Sequence, residues 1–188
     1  AKNSALRLLA ASLLTNENVE LLNFPNGLLD IQVHIEMLKV LGKEYYQNFS
    51  SIKISEETNH VKTGLDWNGR SIRNTLLILG ALTTRFGEGR VPLPGGCNLG
   101  DRKYDIHNML LKKMGAKVWE EQGYLCTKVI DKLKGCDIYL PIRSTGATEN
   151  AILCGTLAIG KTTIWNPHIR PEILDLINML QNMGAKIK

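Results

Sequence analysis

LKVLGKEY at residues 38–45, LKKMGAKV at 111–118 and LQNMGAKI at 180–187 are three copies of one pattern. In each, a leucine (Leu38, Leu111, Leu180) stands four positions before a glycine (Gly42, Gly115, Gly184). A lysine follows within two residues: Lys43, Lys117 and Lys186. The glycines are 73 and 69 residues apart (115 − 42 and 184 − 115). Such a glycine fits the position just past a helix end, where the backbone turns left-handed and a Cβ would be in the way. A period of this length means one supersecondary unit used several times around a shared core.

Upstream of each glycine helix, a second helical pattern feeds a short strand that ends at a proline. The pairs are 4–14 with 19–25, 72–85 with 91–94, and 147–157 with 162–167. Hairpin patterns follow the first two glycines, over 43–55 and 117–129. Units two and three also carry a strand before their first helix, at 64–67 and 137–141. The unit therefore reads βαβαββ, with boundaries near 1–63, 64–130 and 131–188, and the fold class is α+β built from an α/β repeat. Helical segments 72–82 and 147–157 are apolar nearly all round, which predicts burial at the centre of the domain. Unit one has no first strand and unit three stops short of a hairpin. The sequence, which also has no initiator methionine, reads as a single incomplete domain with unpaired strand positions at both ends.

The chain has 188 residues, 44% hydrophobic and 22% charged, which is the composition of a soluble globular protein. No apolar run approaches a membrane span, and AKNSALRLLAASLL is too short and lacks the cleavage site of a secretory signal. Cys97, Cys126, Cys136 and Cys154 lie 29, 10 and 18 residues apart, with no CxxC, so neither a metal site nor a disulfide framework is expected. The net charge of +5 is dispersed and suits small anionic substrates. No aromatic-basic motif points to nucleic acid.

Residues 94–107, PGGCNLGDRKYDIH, put one thiol in a glycine-bracketed loop. Gly95, Gly96 and Gly100 permit close backbone approach to a ligand. Cys97 stands five residues before Arg102, whose guanidinium suits phosphate or carboxylate. On chemistry alone the thiol is an acid, a nucleophile, a metal ligand or a small apolar turn residue.

With AKNSAL at 1–6, RFGEGRVPLPGGCNLGDRKYDIH at 85–107, STGAT at 144–148, RPEILD at 170–175 and the GAK endings, the chain resembles the enolpyruvyl transferases. It is most similar to the branch whose acceptor is UDP-N-acetylglucosamine. The resemblance implies an inside-out α/β barrel of two domains, each with three such units around a pseudo-threefold axis and the active site between them. This chain would be the domain that carries the cysteine loop, and the second domain its partner. The shikimate-pathway relatives have no PGGC loop and open differently from AKNS.

The implied reaction moves the enolpyruvyl group of phosphoenolpyruvate to the 3′-hydroxyl of the UDP-sugar, with release of phosphate, in peptidoglycan precursor synthesis in the cytoplasm. It proceeds by addition and elimination through a tetrahedral intermediate and implies no cofactor, metal, membrane or nucleic acid. The resemblance makes Cys97 the general acid, able also to form an adduct with phosphoenolpyruvate. It sets Lys2, Arg73 and Arg102 against phosphoenolpyruvate, with Lys2 bridging the two substrates. Asn3 would hydrogen-bond the sugar. Arg102, Lys103, Tyr104, Asp105, Ile106 and His107 would line the nucleotide, and Ser144, Thr145 and Gly146 would hold the diphosphate at a helix N-terminus. STGAT also reads as a plain N-cap. Four positions depart from the family's usual residues on the nucleotide side: Lys103 (proline), Leu77 (tryptophan), Ile142 (lysine) and Arg170 (glutamate). The donor side is intact, so an acceptor such as UMP, or a nucleotide-binding fragment without catalysis, is the alternative.

Overall fold

The computed structural model describes residues 2–56, 61–94 and 104–188. Cys97, Arg102 and Lys103 lie outside the described residues. Unit one runs α1 (Lys2–Ala11), a 3-10 turn (Ser12–Leu14), β1 (Val19–Leu22), α2 (Leu29–Leu41), β2 (Glu44–Gln47) and β3 (Ser51–Ser55). Unit two follows with α3 (Thr75–Phe86), β4 (Glu88–Pro92), α4 (Asp105–Lys113), β5 (Lys117–Glu121) and β6 (Tyr124–Lys128). Unit three has β7 (Asp137–Tyr139), α5 (Thr145–Thr156), β8 (Thr163–Trp165) and α6 (Pro171–Asn182).

The repeat is visible in the hydrogen bonds. Gly42, Gly115 and Gly184 have φ of 108°, 100° and 101°. Each closes its helix with the same pair of bonds. The glycine N–H reaches back three residues to the carbonyls of Lys39, Lys112 and Gln181. The next N–H reaches back five, to Leu38, Leu111 and Leu180, at 2.9–3.0 Å. This is the double capping that satisfies the last carbonyls of a helix. The sheets repeat too: the order is β1-β3-β2 in unit one and β4-β6-β5 in unit two, all antiparallel. The β5–β6 turn puts Gln122 and Gly123 at positive φ (49° and 83°), as a two-residue hairpin loop requires.

The strand predicted at 137–141 forms over Asp137–Tyr139 and pairs in parallel with β8, Ile138 opposite Ile164. The strand predicted at 64–67 does not form. Only the parallel bridge Gly64–Arg90 remains, closed by Leu65 N–H to the Arg90 carbonyl at 2.8 Å. Beyond it the chain folds back: the Trp67 indole donates to the Arg70 carbonyl at 3.0 Å, and Gly69 lies against the ring, where a Cβ would come within 2.7 Å.

The central helices are buried as their all-round apolarity predicts. All ten residues of α3 from Thr75 to Thr84 are buried. The outer helices bury one stripe: α6 turns Ile173, Leu176 and Leu180 inward and leaves Leu174 exposed. Units one and two are tied by an ionic cluster. Lys43 takes the place of Ala116 in unit two and is 1% exposed. Its Nζ lies 2.8 Å from Glu56 and 2.7 Å from the Thr15 carbonyl, while Arg85 holds both Glu56 oxygens at 2.8 Å. Hydrogen bonding to Arg85 keeps the Glu56 carboxyl below its ordinary pKa.

Helices α3 and α5 pack against each other at Gly80. A Cβ there would lie 1.9 Å from Asn150 Oδ1 and 3.2 Å from Cys154 Sγ. Gly80→Ala would gain helix propensity, about 0.5–1 kcal/mol, but it must push a buried amide aside. Overpacking of this kind costs about 1–3 kcal/mol and decides the sign. A lower urea midpoint with unchanged m-value is expected; a midpoint at or above wild type would contradict this packing.

Candidate active site

Ser144 caps α5 from extended backbone (φ −96°, ψ 121°), its Oγ accepting the Ala147 N–H at 3.3 Å. Thr148 Oγ1 donates to the Ser144 carbonyl at 2.8 Å. Thr145 Oγ1 lies 2.8 Å from His168 Nδ1, and the His168 N–H donates to Thr148 Oγ1 at 3.0 Å. STGAT is therefore a genuine N-cap, and the first turn of α5 carries the positive end of the helix dipole, which suits an anion.

The start of α4 meets it. Asp105 and Ile106 occupy the first turn of α4, and His107, 7% exposed, turns inward. His107 Nε2 is 3.6 Å from where a Gly146 Cβ would stand. Burial, and next the Arg73 guanidinium, hold the His107 pKa down at about 4, so the ring is neutral at physiological pH. Arg73 is thus in electrostatic reach of His107. Tyr104 donates to Glu120 on β5, and burial and that carboxylate raise its pKa to about 12.

Lys2 and Asn3 open α1. Lys2 Nζ lies 2.5 Å from Asp30 Oδ2, and Arg70 Nε 3.5 Å from Asp30 Oδ1. The Asn3 carbonyl accepts from Arg7, which also pairs with Glu149. Residues 70–73 touch both clusters: Arg70 reaches Asp30 beside Lys2, and Arg73 acts on His107. Asp30 thus holds Lys2 and Arg70 side by side, and a pair of cations is the chemistry that suits phosphate or carboxylate groups.

Sequence reasoning missed Asp30, Arg7, Glu149 and Asn150. Asp30 looks like any acid in a helix first turn. Glu149 and Asn150 did carry a signal, being adjacent polar residues in an otherwise apolar inner helix; they are 1% and 0% exposed. Of the departures, Ile142 and Arg170 are exposed, and Arg170 lies 3.6 Å from Glu172. Leu77 is 3% exposed, a core residue of α3. A groove of about 550 Å³ runs elsewhere, between α1, β1 and α6, and none of the predicted site residues among the described ones lines it.

The chain matches the EPSP synthase (3-phosphoshikimate 1-carboxyvinyltransferase) family over residues 1–188. It is 44% identical over 190 residues to UDP-N-acetylglucosamine 1-carboxyvinyltransferase 1 of Carboxydothermus hydrogenoformans, covering 100% of this chain and 44% of that protein. It is 42% identical over 189 residues to the UDP-N-acetylglucosamine 1-carboxyvinyltransferase of Pelagibacter ubique, covering 100% and 45%. The chain therefore spans less than half the length of these relatives. Among solved structures, the enolpyruvyl transferase NikO from Streptomyces tendae superposes with a TM-score of 0.82 at 20% identity, over 100% of this chain and 44% of that one. An EPSP synthase from Acinetobacter baumannii gives 0.74 at 18%, over 100% and 43%. At such identities these two establish the fold.

Proposed function

This chain belongs to the EPSP synthase family, and on that footing we propose that its protein transfers the enolpyruvyl group of phosphoenolpyruvate to the 3′-hydroxyl of UDP-N-acetylglucosamine. The observation that carries the reading is the 41–44% identity, over the whole of this chain, to relatives that bear that name. In this reading Lys2, Arg73 and Arg102 hold the donor's phosphate and carboxylate. Cys97 protonates the methylene carbon as the acceptor oxygen adds to C2. Phosphate then leaves C2 as the methyl carbon gives up a proton, which restores the carbon–carbon double bond of the enolpyruvyl group. Asn3, residues 103–107 and residues 144–146 hold the acceptor. A second domain of the same protein, facing these loops, supplies the base. No helix among the described residues is long and apolar enough to cross a membrane, and the nucleotide-sugar substrate puts the reaction in the cytoplasm. An acceptor such as UMP is the second reading, favoured by Ile142, Lys103 and Arg170.

A phosphoenolpyruvate-mimicking epoxide should alkylate Cys97, faster when UDP-N-acetylglucosamine is present, as followed by intact mass and peptide mapping. The other thiols are poor competitors, since burial raises the pKa of Cys126 and Cys136 and takes Cys154 to about 12. Labelling that ignores the nucleotide sugar, or that falls on those three, would count against the site.

A further inference from the structure

We propose that Asn150 is a positioning residue for acceptor recognition. It fixes His107 as the tautomer protonated on Nε2, so that this N–H is offered to an oxygen of the nucleotide beside Gly146. The inference rests on the acceptor-site reading of His107 and Gly146.

Asn150 is fully buried on α5, its Nδ2 3.0 Å from His107 Nδ1. An amide nitrogen only donates, so Nδ1 must accept, and a neutral imidazole then carries its proton on Nε2. The amide's orientation has its own support. Oδ1 is the atom pressed against Gly80, and it faces the Cys154 thiol at 3.8 Å. Turning the amide over would set its nitrogen against Gly80 and that thiol, and would require His107 to carry its proton on Nδ1 instead. Burial keeps the ring neutral, and its Nε2 stands over the first turn of α5.

The repeat supplies an internal comparison. His34 and His107 both stand eight residues before their glycines (42 − 34 and 115 − 107), and unit three has Leu176 there. His34 also meets an asparagine: Asn74 Nδ2 lies 2.7 Å from its Nδ1 and donates to the Leu6 carbonyl at 2.9 Å. Yet at the offset of 69 that relates units two and three, Asn150 corresponds to Ala81, and Asn74 to Arg143. The two asparagines are thus not copies of one position, though each leaves its histidine protonated on Nε2. At His34 that nitrogen is enclosed with no partner among the described residues. At His107 it borders Gly146, where the candidate site begins.

The test uses ¹⁵N-histidine-labelled protein at about pH 7 and UDP as the probe ligand. Wild type should show His107 protonated on Nε2 and bare on Nδ1. Asn150→Asp keeps the shape but offers only acceptor oxygens, so the proton should move to Nδ1 and the Kd for UDP should rise at least tenfold. Asn150→Leu should mix the tautomers and weaken UDP similarly. His107 found protonated on Nδ1 in wild type overturns the inference even if neither variant folds. Folded variants that bind UDP as wild type does overturn it while leaving the acceptor site standing. A wild type that shows the Nε2 tautomer but no affinity for UDP overturns the acceptor-site reading, and the positioning role with it.

Discussion

Arg7→Ala should destabilise the protein by about 2–3 kcal/mol at about pH 8, and by less at about pH 5.5. The reason is Glu149, 1% exposed on α5, whose charge is balanced by the Arg7 guanidinium on α1. Desolvation raises the Glu149 pKa to about 7, even though Arg7 pulls it down. Removing Arg7 at high pH strands a carboxylate in the interior. With Arg7 present the folded form takes up its proton near pH 7, against ~4.5 for an unfolded glutamate. Without Arg7 it holds that proton to higher pH, so the extra penalty sets in as pH rises through 7 and grows above it. Near pH 5.5 the loss should shrink to about 1–2 kcal/mol, the worth of a hydrogen bond left unmade.

His107 and His34 titrate with the opposite sign. Their folded pKa values, about 4 and about 3, lie below the unfolded value near ~6.5. Falling pH below that value therefore favours the unfolded chain in wild type and variant alike. Comparing variant with wild type at each pH cancels this background. Urea-unfolding free energies at the two pH values give the answer, and Arg7→Ala with Glu149→Leu should recover most of the loss. Equal losses at both pH values would contradict a stranded charge.

The repeat was legible because its signals are local and steric. Three glycines at positive φ, each four residues after a leucine, are read directly from sequence, and so is the apolar run of α3. At the predicted strand 64–67 the chain instead turns back within a few residues, the Trp67 indole reaching the Arg70 carbonyl over Gly69. The strand-like pattern hides this side-chain-to-backbone turn. For the site, the resemblance named the ligand-facing residues but not the groups that hold them. Arg7 and Glu149 are 142 positions apart, Asn150 and His107 are 43 apart, and only the packing of inner helices joins them. Within a single sequence such pairs show merely as polar residues where apolar ones are expected. Of the departures that weakened the acceptor reading, Leu77 loses its force once seen in the core, whereas Ile142 and Arg170 keep theirs at the surface.

The central claim is enolpyruvyl transfer through Cys97, and phosphate release by the full-length protein tests it most directly. Incubated with phosphoenolpyruvate and UDP-N-acetylglucosamine, the protein should release phosphate only when both are present. Cys97→Ser should lower kcat by about 10²–10⁴-fold, the usual worth of a positioned acid. Release with UMP but not with UDP-N-acetylglucosamine would change the acceptor and keep the chemistry. No release with either nucleotide, or undiminished turnover in Cys97→Ser, would contradict the account.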